Sequence, residues 1–408
     1  MVDVLTHMYP ATLSTRQRSV VELEAGKFYY SDMRLVDISA SSDATDNYNW
    51  KSGVFGLIRR ISLESNGIEI DSCDYANVVG SFKNLARSNR SEVALRQTLS
   101  LSTVGYDVLQ YYGRSVSQSI QNKSAANLSG YVELKTLLPF LEYNQMMMFP
   151  QGLRLVIEWE TDPGQILAGT VVTAPGPEKK PVTLIVDEEL RPAKQISMKQ
   201  MIYPSWEVDR LTVPVADPVP AADEWRTSNY FKERFSGFNG KTCGKGFFQF
   251  LGSNTNNVYG QYISSVQFGE NYQIYLDNKP FFPSSETRTT KLARLNDTWG
   301  PLCLPLPATI RSMDAARTIQ DPVVGPPAVA GIYLNLLVDP KLQTFMSVDS
   351  WGAIDLTGTK FNDMQFEYSR IYDGNWAMTT DPITVRLFMQ VWKALKLDKD
   401  GNVVVQYL

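Results

Sequence analysis

The side chains that could carry acid–base chemistry are in short supply in this sequence. Its 408 residues include one histidine, His7. Imidazole is the group that most often moves protons near neutral pH, and it is a common metal ligand. We therefore expect neither a Ser-His-Asp or Cys-His catalyst nor a metal held by histidines.

Two short motifs imitate ligand-binding loops. Gly240-Lys241-Thr242 resembles the end of a phosphate-binding loop, but that loop needs a glycine where Phe235 stands, with a strand before it and a helix after it. We predict a flexible turn there. Asp398, Asp400 and Asn402 resemble the start of a calcium loop, whose twelfth position, a bidentate glutamate, would fall after Leu408. An Asp-Gly hairpin turn is the prediction at that point.

Two further runs have a functional and a structural interpretation. The carboxylates of 187–189 could serve as the paired acids of a glycosidase, but a solvated strand end is the simpler prediction. The methionines of 146–148 are predicted to pack in a core or an interface, because flexible thioethers fill irregular apolar gaps. The sequence therefore assigns no catalytic, cofactor-binding or metal-binding residue, and no cofactor.

Charge and cysteine content exclude other classes of function. The net charge is −4 and the first residues form no basic arm, so direct binding to nucleic acid is not expected. Cys73, Cys243 and Cys303 are too few and too far apart for a disulfide framework or a zinc cluster. We see neither a signal peptide nor an apolar stretch long enough to cross a bilayer, so a cytoplasmic, reduced protein is the initial expectation.

The elements that would position any site are mainly strands. Aromatic residues are abundant, with 20 Tyr, 18 Phe and 8 Trp, and 22 Pro and 26 Gly supply frequent turns. Asn66-Gly67 lies between alternating apolar residues, which is a strong signal for a hairpin. Apolar residues then fall at helical spacing from Tyr75 to Leu85, with Asp74 as a possible N-cap. The sequence predicts an all-β fold with short helices and long surface loops.

Two stretches of the first half recur in the second half. The run 60–67 is echoed at 273–279, and the run 153–159 is echoed at 385–392. Because both echoes occur in the same order and in strand-like sequence, we interpret them as one domain plan used twice. Ile61 is then expected to be equivalent to Ile274, and Leu155 to Leu387.

The predicted domain boundaries follow from this repeat and from proline content. Residues 1–26 are interpreted as an N-terminal arm, 27–210 as the first domain and 226–408 as the second. The proline-rich run 211–225 between them is interpreted as a linker, because it cannot sustain a helix or a central strand. Long excursions near 99–129 and 284–330 follow the matching hairpins and are expected to project from the same end.

Together the halves resemble the double jelly-roll major capsid proteins of icosahedral double-stranded DNA viruses, a lineage that includes tectiviruses, adenovirus hexons and the polinton and adintovirus group. The resemblance rests on the hairpin 61–71, on the Leu-Leu-Pro-Phe-Leu break and Pro-Gln-Gly turn within 134–160, and on their second-half versions at 274–282 and 383–397. It implies two tandem antiparallel jelly-roll sandwiches and a non-enzymatic, structural protein of the virion that is assembled inside the host cell.

The resemblance also implies partners. Three chains with two sandwiches each would form a homotrimer that occupies a six-neighbour position in the shell, in contact with neighbouring capsomers and with penton and minor capsid proteins. The sequence does not indicate the virus, the host, the shell size or any contact with an internal membrane. Two other functions remain open: a β-sandwich enzyme that acts on glycans, which would need paired acids in a concave site, and a lectin-like binding module.

Overall fold

The computed structural model describes most of the strands and part of the connections between them. The described residues are 4–41, 48–50, 53–86, 127–162, 167–169, 178–179, 181–190, 200–214, 225–252, 271–286, 288–300, 351–373, 383–398 and 402–408. Most of the two predicted excursions (99–126 and 301–330) and Cys303 lie outside them.

The first half of the chain contributes fourteen of the described strands. They are β1 (Val4–Pro10), β2 (Leu13–Ser14), β3 (Arg18–Leu23), β4 (Phe28–Tyr30), β5 (Arg34–Ser41), β6 (Tyr48–Trp50), β7 (Ile58–Ser65), β8 (Ile68–Asp74), β9 (Asn127–Glu133), β10 (Met146–Met148), β11 (Leu153–Trp159), β12 (Leu167–Gly169), β13 (Glu178–Lys179) and β14 (Thr183–Glu189).

The second half contributes longer strands. They are β15 (Met201–Val213), β16 (Trp225–Phe235), β17 (Cys243–Gly252), β18 (Asn271–Leu276), β19 (Lys279–Pro280), β20 (Trp351–Asp355), β21 (Met364–Asp373), β22 (Ile383–Leu397) and β23 (Val403–Tyr407). The described helices are α1 (Ala76–Ala86), α2 (Pro139–Tyr143) and α3 (Arg288–Trp299), with 3-10 turns at Gly53–Leu57 and Leu134–Thr136.

The two halves share one sheet topology. In the first half, sheet A1 contains the order β1-β14-β5-β9 and sheet B1 the order β3-β11-β7-β8. In the second half, sheet A2 has the order β15-β22-β17-β20 and sheet B2 the order β16-β21-β18-β19. Eight strands of each half thus occur in the same chain order and the same sheet positions, and all their pairings are antiparallel. The prediction of two tandem antiparallel sandwiches is confirmed.

The hairpins at the predicted repeat form for the expected reason. Asn66 and Gly67 join β7 to β8 with φ values of 49° and 74°, and Asp277 and Asn278 join β18 to β19 with φ values of 48° and 66°. Positive φ at both central positions matches the turn to the twist of the strands, and Gly, Asn and Asp tolerate it best. Ile61 and Ile274 lie on equivalent strands, as predicted, but counted back from the turns the residue equivalent to Ile274 is Leu63.

The second predicted equivalence is wrong. Leu155 lies on β11, which is paired with β3 and β7 in sheet B1, whereas Leu387 lies on β22 of sheet A2. The strand of the second half that occupies the place of β11 is β21, where Phe366 lies opposite Ile274. Alternating apolar residues occur on every half-buried strand, so the pattern alone did not identify the right one.

The predicted domain boundaries also need correction. Residues 1–26 are not an arm, because β1 and β3 are the first two strands of the first sandwich and Val20 and Val21 are buried in it. The run 201–213, divided between the first domain and the linker by the sequence, is the first strand of the second sandwich and pairs along its whole length with β22. The sandwiches therefore meet in the chain between β14 and β15. The proline-rich run that follows connects β15 to β16, and 215–224 lie outside the described residues.

The helix after the first hairpin starts later than predicted. It begins at Ala76, and Asp74 is the last residue of β8, where it forms an ion pair with Arg60 at 2.8 Å. The intervening Tyr75 has φ of 51° and places its ring against the second sandwich. Asp74 is therefore not the helix N-cap.

Each sandwich has an apolar core between its sheets. In the second sandwich, buried side chains of A2 such as Phe248 and Leu387 face buried side chains of B2 such as Ile274 and Phe366. The core of the first sandwich is continuous with a second layer of apolar residues that joins the two sandwiches. This layer defines the surfaces considered next. No helix in the described part of the chain is long and apolar enough to span a membrane.

Candidate assembly surfaces

Sheet A2 is buried on both faces. Its outer face, which we call the second outer face, carries Trp206, Phe247, Trp351, Ala353 and Phe388, and all five are buried. The alternate residues of the same strands point into the sandwich core. Consecutive Phe247 and Phe248 therefore lie in different apolar layers, which explains why both of these neighbouring positions are apolar.

The first sandwich covers the second outer face with aromatic side chains. Phe82 of α1 stacks on Phe247 with ring centroids 3.9 Å apart, and Phe247 stacks on Phe388 at 4.7 Å. Tyr75 meets Phe388 edge to face at 6.2 Å. Burial of aromatic surface of this size is a large stabilising contribution, and one apolar cluster includes residues of both sandwiches.

A polar cluster lies within this apolar contact. Asp71 of β8 is fully buried, and its Oδ1 accepts hydrogen bonds from Ser205 Oγ of β15 at 2.7 Å and from the Ser72 amide at 2.9 Å. Its Oδ2 accepts the Phe140 amide at 2.8 Å. Lys393 Nζ of β22 donates to Ser205 Oγ at 3.2 Å. The cluster therefore ties two strands of the second sandwich to β8 and α2 of the first.

Burial controls the protonation of this carboxyl group. Removal from water raises the pKa of Asp71 to about 6, although the hydrogen bonds from Ser205 and Phe140 and the charge of Lys393 oppose the shift. Burial also raises the pKa of the neighbouring Tyr203 hydroxyl, which donates to the Ile70 carbonyl across the same contact. Both side chains are fully buried in the contact between the sandwiches.

Among the residues that the structure describes, none covers the equivalent face of sheet A1 in this way. Leu184 and Val186 of β14 point into the core, so Ile185 and Asp187 point outward. Their cross-strand partners on β1 are Met8 and Thr6. We call the outward residues of A1 the first outer face; it comprises Val4, Thr6, Met8, Arg34, Val36, Tyr131, Ile185 and Asp187.

The first outer face is mixed in polarity and partly exposed. Met8 is 63% exposed and Val4 is 47% exposed, while Ile185, Val36 and Tyr131 are half-buried. Arg34 and Asp187 add charge, and Asp187 accepts a hydrogen bond from Thr6 at 2.6 Å. β1 is also the edge strand of A1, since it pairs with β14 alone among the described strands. An exposed edge strand with apolar side chains is a typical template for association.

The contact between the sandwiches joins unlike surfaces. The first sandwich contributes α1, which meets the outer face of A2, and the edge strand β8 with α2, which meet the opposite side of β15 at Tyr203 and Ser205. The second sandwich has its own counterparts of the β8 edge, namely β19 and the connection 356–363. Lys279 and Pro280 of β19 are exposed. By topology, the first outer face and the β19 side are the equivalent pair of surfaces, and within the described residues both include exposed side chains.

The residues that the sequence singled out for possible chemistry lie far from any common site. Lys241 follows a turn and forms an ion pair with Glu207 at 2.6 Å, as a structural rather than a phosphate-binding lysine. Asp398 accepts the Asn402 amide at 2.8 Å between β22 and β23, in keeping with the predicted hairpin; 399–401 lie outside the described residues. Met147 is buried in the first core, as predicted.

The carboxylate run at the end of β14 is less exposed than the sequence predicted. Glu188 and Glu189 are buried, so this is not a solvated strand end. Glu188 Oε2 lies 3.0 Å from His7 Nε2 and 3.1 Å from Lys27 Nζ, and Glu189 accepts from the Tyr30 hydroxyl at 3.1 Å. The histidine assigned to an arm is thus placed on β1. The two carboxylates therefore link β14 to β1 and to β4.

Sequence reasoning did not find the residues that join the sandwiches. Asp71, Ser205 and Lys393 are far apart in the chain, and a single polar residue in each strand carries no signal of its partners. The adjacent Phe247 and Phe248 were a usable signal, since two neighbouring large apolar residues in a strand indicate that both of its faces are covered there. Within the described residues, no group of three or more His, Cys, Asp or Glu side chains could hold a metal ion.

Comparison with known proteins identifies the fold. No protein-family model and no curated protein sequence matches the chain. Among solved structures, a quasi-atomic model of the PBCV-1 virus capsid matches with a TM-score of 0.56 and 9% sequence identity, over 100% of this chain and 98% of that chain. The mavirus major capsid protein matches with a TM-score of 0.55 and 11% identity, over 98% of this chain and 90% of that chain. The Sputnik virophage structure gives 0.53 and 8%, over 99% and 88%.

The chain has the double jelly-roll fold of viral major capsid proteins. The likeness extends over nearly the whole of each chain, so it covers both sandwiches and their mutual arrangement rather than one jelly roll. At about one identical residue in ten, it reports architecture and leaves individual side chains to be interpreted from their own contacts.

Proposed function

We propose that this chain is the major capsid protein of an icosahedral double-stranded DNA virus, and that three copies form a ring of six sandwiches. The observation that carries the proposal is the match of the whole chain, in both sandwiches, to structures of viral capsid proteins. The protein is then a structural component of the virion, assembled inside the host cell, and not an enzyme.

The chain's own internal contact supports the ring. Two sandwiches of the same topology meet through unlike surfaces, which is a heterologous, head-to-tail contact. Such contacts between similar units repeat until they close into a ring or extend as a filament. The first outer face of one chain complements the β19 side of another, by analogy with the contact made inside the chain. Closure after three chains would give each sandwich two neighbours.

The partners follow from the same geometry. Each ring would contact other rings, with penton proteins at the vertices and minor capsid proteins between rings. The acidic chain, with a net charge of −4, has no electrostatic reason to bind the genome directly. Contact with an internal membrane is left open.

Electron microscopy of the purified protein tests the proposal. We expect three-fold particles whose projections show six similar lobes, and larger curved or closed assemblies at higher concentration. Monomers with two lobes at all concentrations would contradict it. So would hydrolysis of a glycan that is abolished by one Asp or Glu substitution, since that result would favour the β-sandwich enzyme.

A further inference from the structure

Asp71 lies in the contact between the sandwiches, and both of them contribute hydrogen-bond donors to its carboxylate. Its two oxygens accept three hydrogen bonds with donors from β8, α2 and β15, so separation of the sandwiches would remove the bond from Ser205 and admit water. The carboxyl group belongs to the first sandwich, whereas Ser205 and Lys393 belong to the second. Its ionisation is thus coupled to the contact itself.

The charged and titratable groups around Asp71 come from every neighbouring element. The positive charge of Lys393, in the second sandwich, lowers the pKa of Asp71, and Lys393 Nζ also lies 3.8 Å from a carboxylate oxygen of Glu207. The groups that face the cluster are Cys73 and Glu69 of β8, Lys83 of α1, Glu142 of α2, Tyr203 and Glu207 of β15, Lys393 of β22 and Tyr407 of β23.

We propose that the Asp71 cluster is a pH-responsive clasp, which tightens the contact between the two sandwiches as the pH falls from about 7.5 to about 5. The proposal concerns a contact within one chain and does not depend on the capsid function. The clasp consists of Asp71, Ser205, Lys393 and the Phe140 amide.

The direction follows from the environment of the carboxyl group. In an opened contact Asp71 would be hydrated and would keep the bonds from the Ser72 and Phe140 amides of its own sandwich, and both effects favour the ionised form. In the closed contact burial raises its pKa to about 6. The closed state therefore binds the proton more strongly, so its added stability is fully present below the pKa of the opened state and is lost as the pH rises through 6. A fall in pH therefore strengthens the contact between the two sandwiches of one chain.

Hydrogen exchange of the Phe140 and Ser72 amides in the full-length protein measures the clasp, because both amides donate to Asp71. After correction for the intrinsic exchange rate, we expect their protection to rise about tenfold between pH 7.5 and 5. Asp71→Asn should flatten this dependence, because the amide does not titrate. Asp297→Asn, at an exposed position of α3, should leave it unchanged. Protection in the unmodified protein that is constant or falls with acid would overturn the proposal.

A second measurement covers the case in which Asp71→Asn does not fold. The side-chain carboxyl carbon of Asp71 in the unmodified protein can be followed by NMR as the pH is changed. A midpoint near 6 supports the clasp. A midpoint below about 4.5 would show that the carboxylate is ionised in both states, and would overturn it.

Discussion

The outer faces of sheets A1 and A2 occupy equivalent places in two sandwiches of one topology, yet they differ in chemistry. The second outer face presents Trp206, Phe247 and Phe388 to the first sandwich, and these side chains are buried. The first outer face presents Met8, Ile185 and polar neighbours such as Thr6, and it is partly exposed. Sheet position is therefore not what decides the composition of a face.

Under the proposed function, the difference reflects when each face is covered. A face covered by the same chain is buried as soon as the chain folds, so it can be aromatic and dry. A face that awaits a second copy must first be soluble by itself, and large exposed apolar patches promote aggregation. Charged residues such as Arg34 and Asp187 on the first outer face would meet that requirement, while Met8 and Ile185 would remain for contact. The contrast is the one that we expect of a building block that folds first and assembles later.

The largest expected effect is on the second outer face. Phe247→Ala removes a fully buried ring that stacks on both Phe82 and Phe388, and we expect it to lower the free energy of unfolding by about 3–5 kcal/mol. Tyr131→Ala, on the first outer face, is the matched control and should cost less than about 1.5 kcal/mol in the monomer. Urea denaturation of both variants measures the difference. An equal loss of unfolding free energy in both variants would contradict the difference in burial between the two faces.

A smaller effect is expected at the polar cluster. Ser205→Ala removes the hydroxyl that donates to Asp71 and leaves a buried carboxylate with one bond fewer, at a cost of about 1–3 kcal/mol at pH 7.5. Loss of that bond should raise the pKa of Asp71 further, so the cost should shrink as the pH falls below 6 and the group becomes neutral. Denaturation at pH 7.5 and 5 measures this change. A cost that grows in acid would mean that the sign of the coupling is wrong.

The smallest effect is expected for the polar part of the first outer face. Asp187→Ala removes an exposed hydrogen bond with Thr6 and should change the free energy of unfolding by no more than about 0.5 kcal/mol. Thermal unfolding of a dilute, monomeric sample provides the measurement. A loss of 2 kcal/mol or more would indicate that this face already supports the fold of the single chain.

Much of the fold could be predicted from the sequence, because local signals identify hairpins. Asn66-Gly67 has few conformational alternatives, and its turn formed as expected. The number and type of sandwiches were also correct. The strand β1 was missed for a physical reason: alternation records a face that the chain itself buries, and within the described residues the outward side chains Val4, Thr6 and Met8 of β1 are exposed.

Other predictions failed because they required knowledge of pairing. Proline residues after Val213 were interpreted as a domain linker, since proline breaks strands anywhere, but the run joins two strands of one sandwich. Leu155 and Leu387 have similar neighbours although they lie in different sheets. The surfaces that join the sandwiches depend on contacts between distant residues such as Asp71 and Lys393, which local patterns do not encode.

The central claim is that a second copy of the chain covers the first outer face, and the solution mass of one pair of variants tests it most directly. Sedimentation equilibrium at micromolar concentration should give three times the 45.9 kDa chain mass for the unmodified protein and for Leu13→Glu, whose site is 47% exposed but lies in sheet B1. Met8→Glu should give the mass of one folded chain, because it places a charge in the proposed contact. A three-chain mass for Met8→Glu, or a single-chain mass for the unmodified protein, would contradict the account.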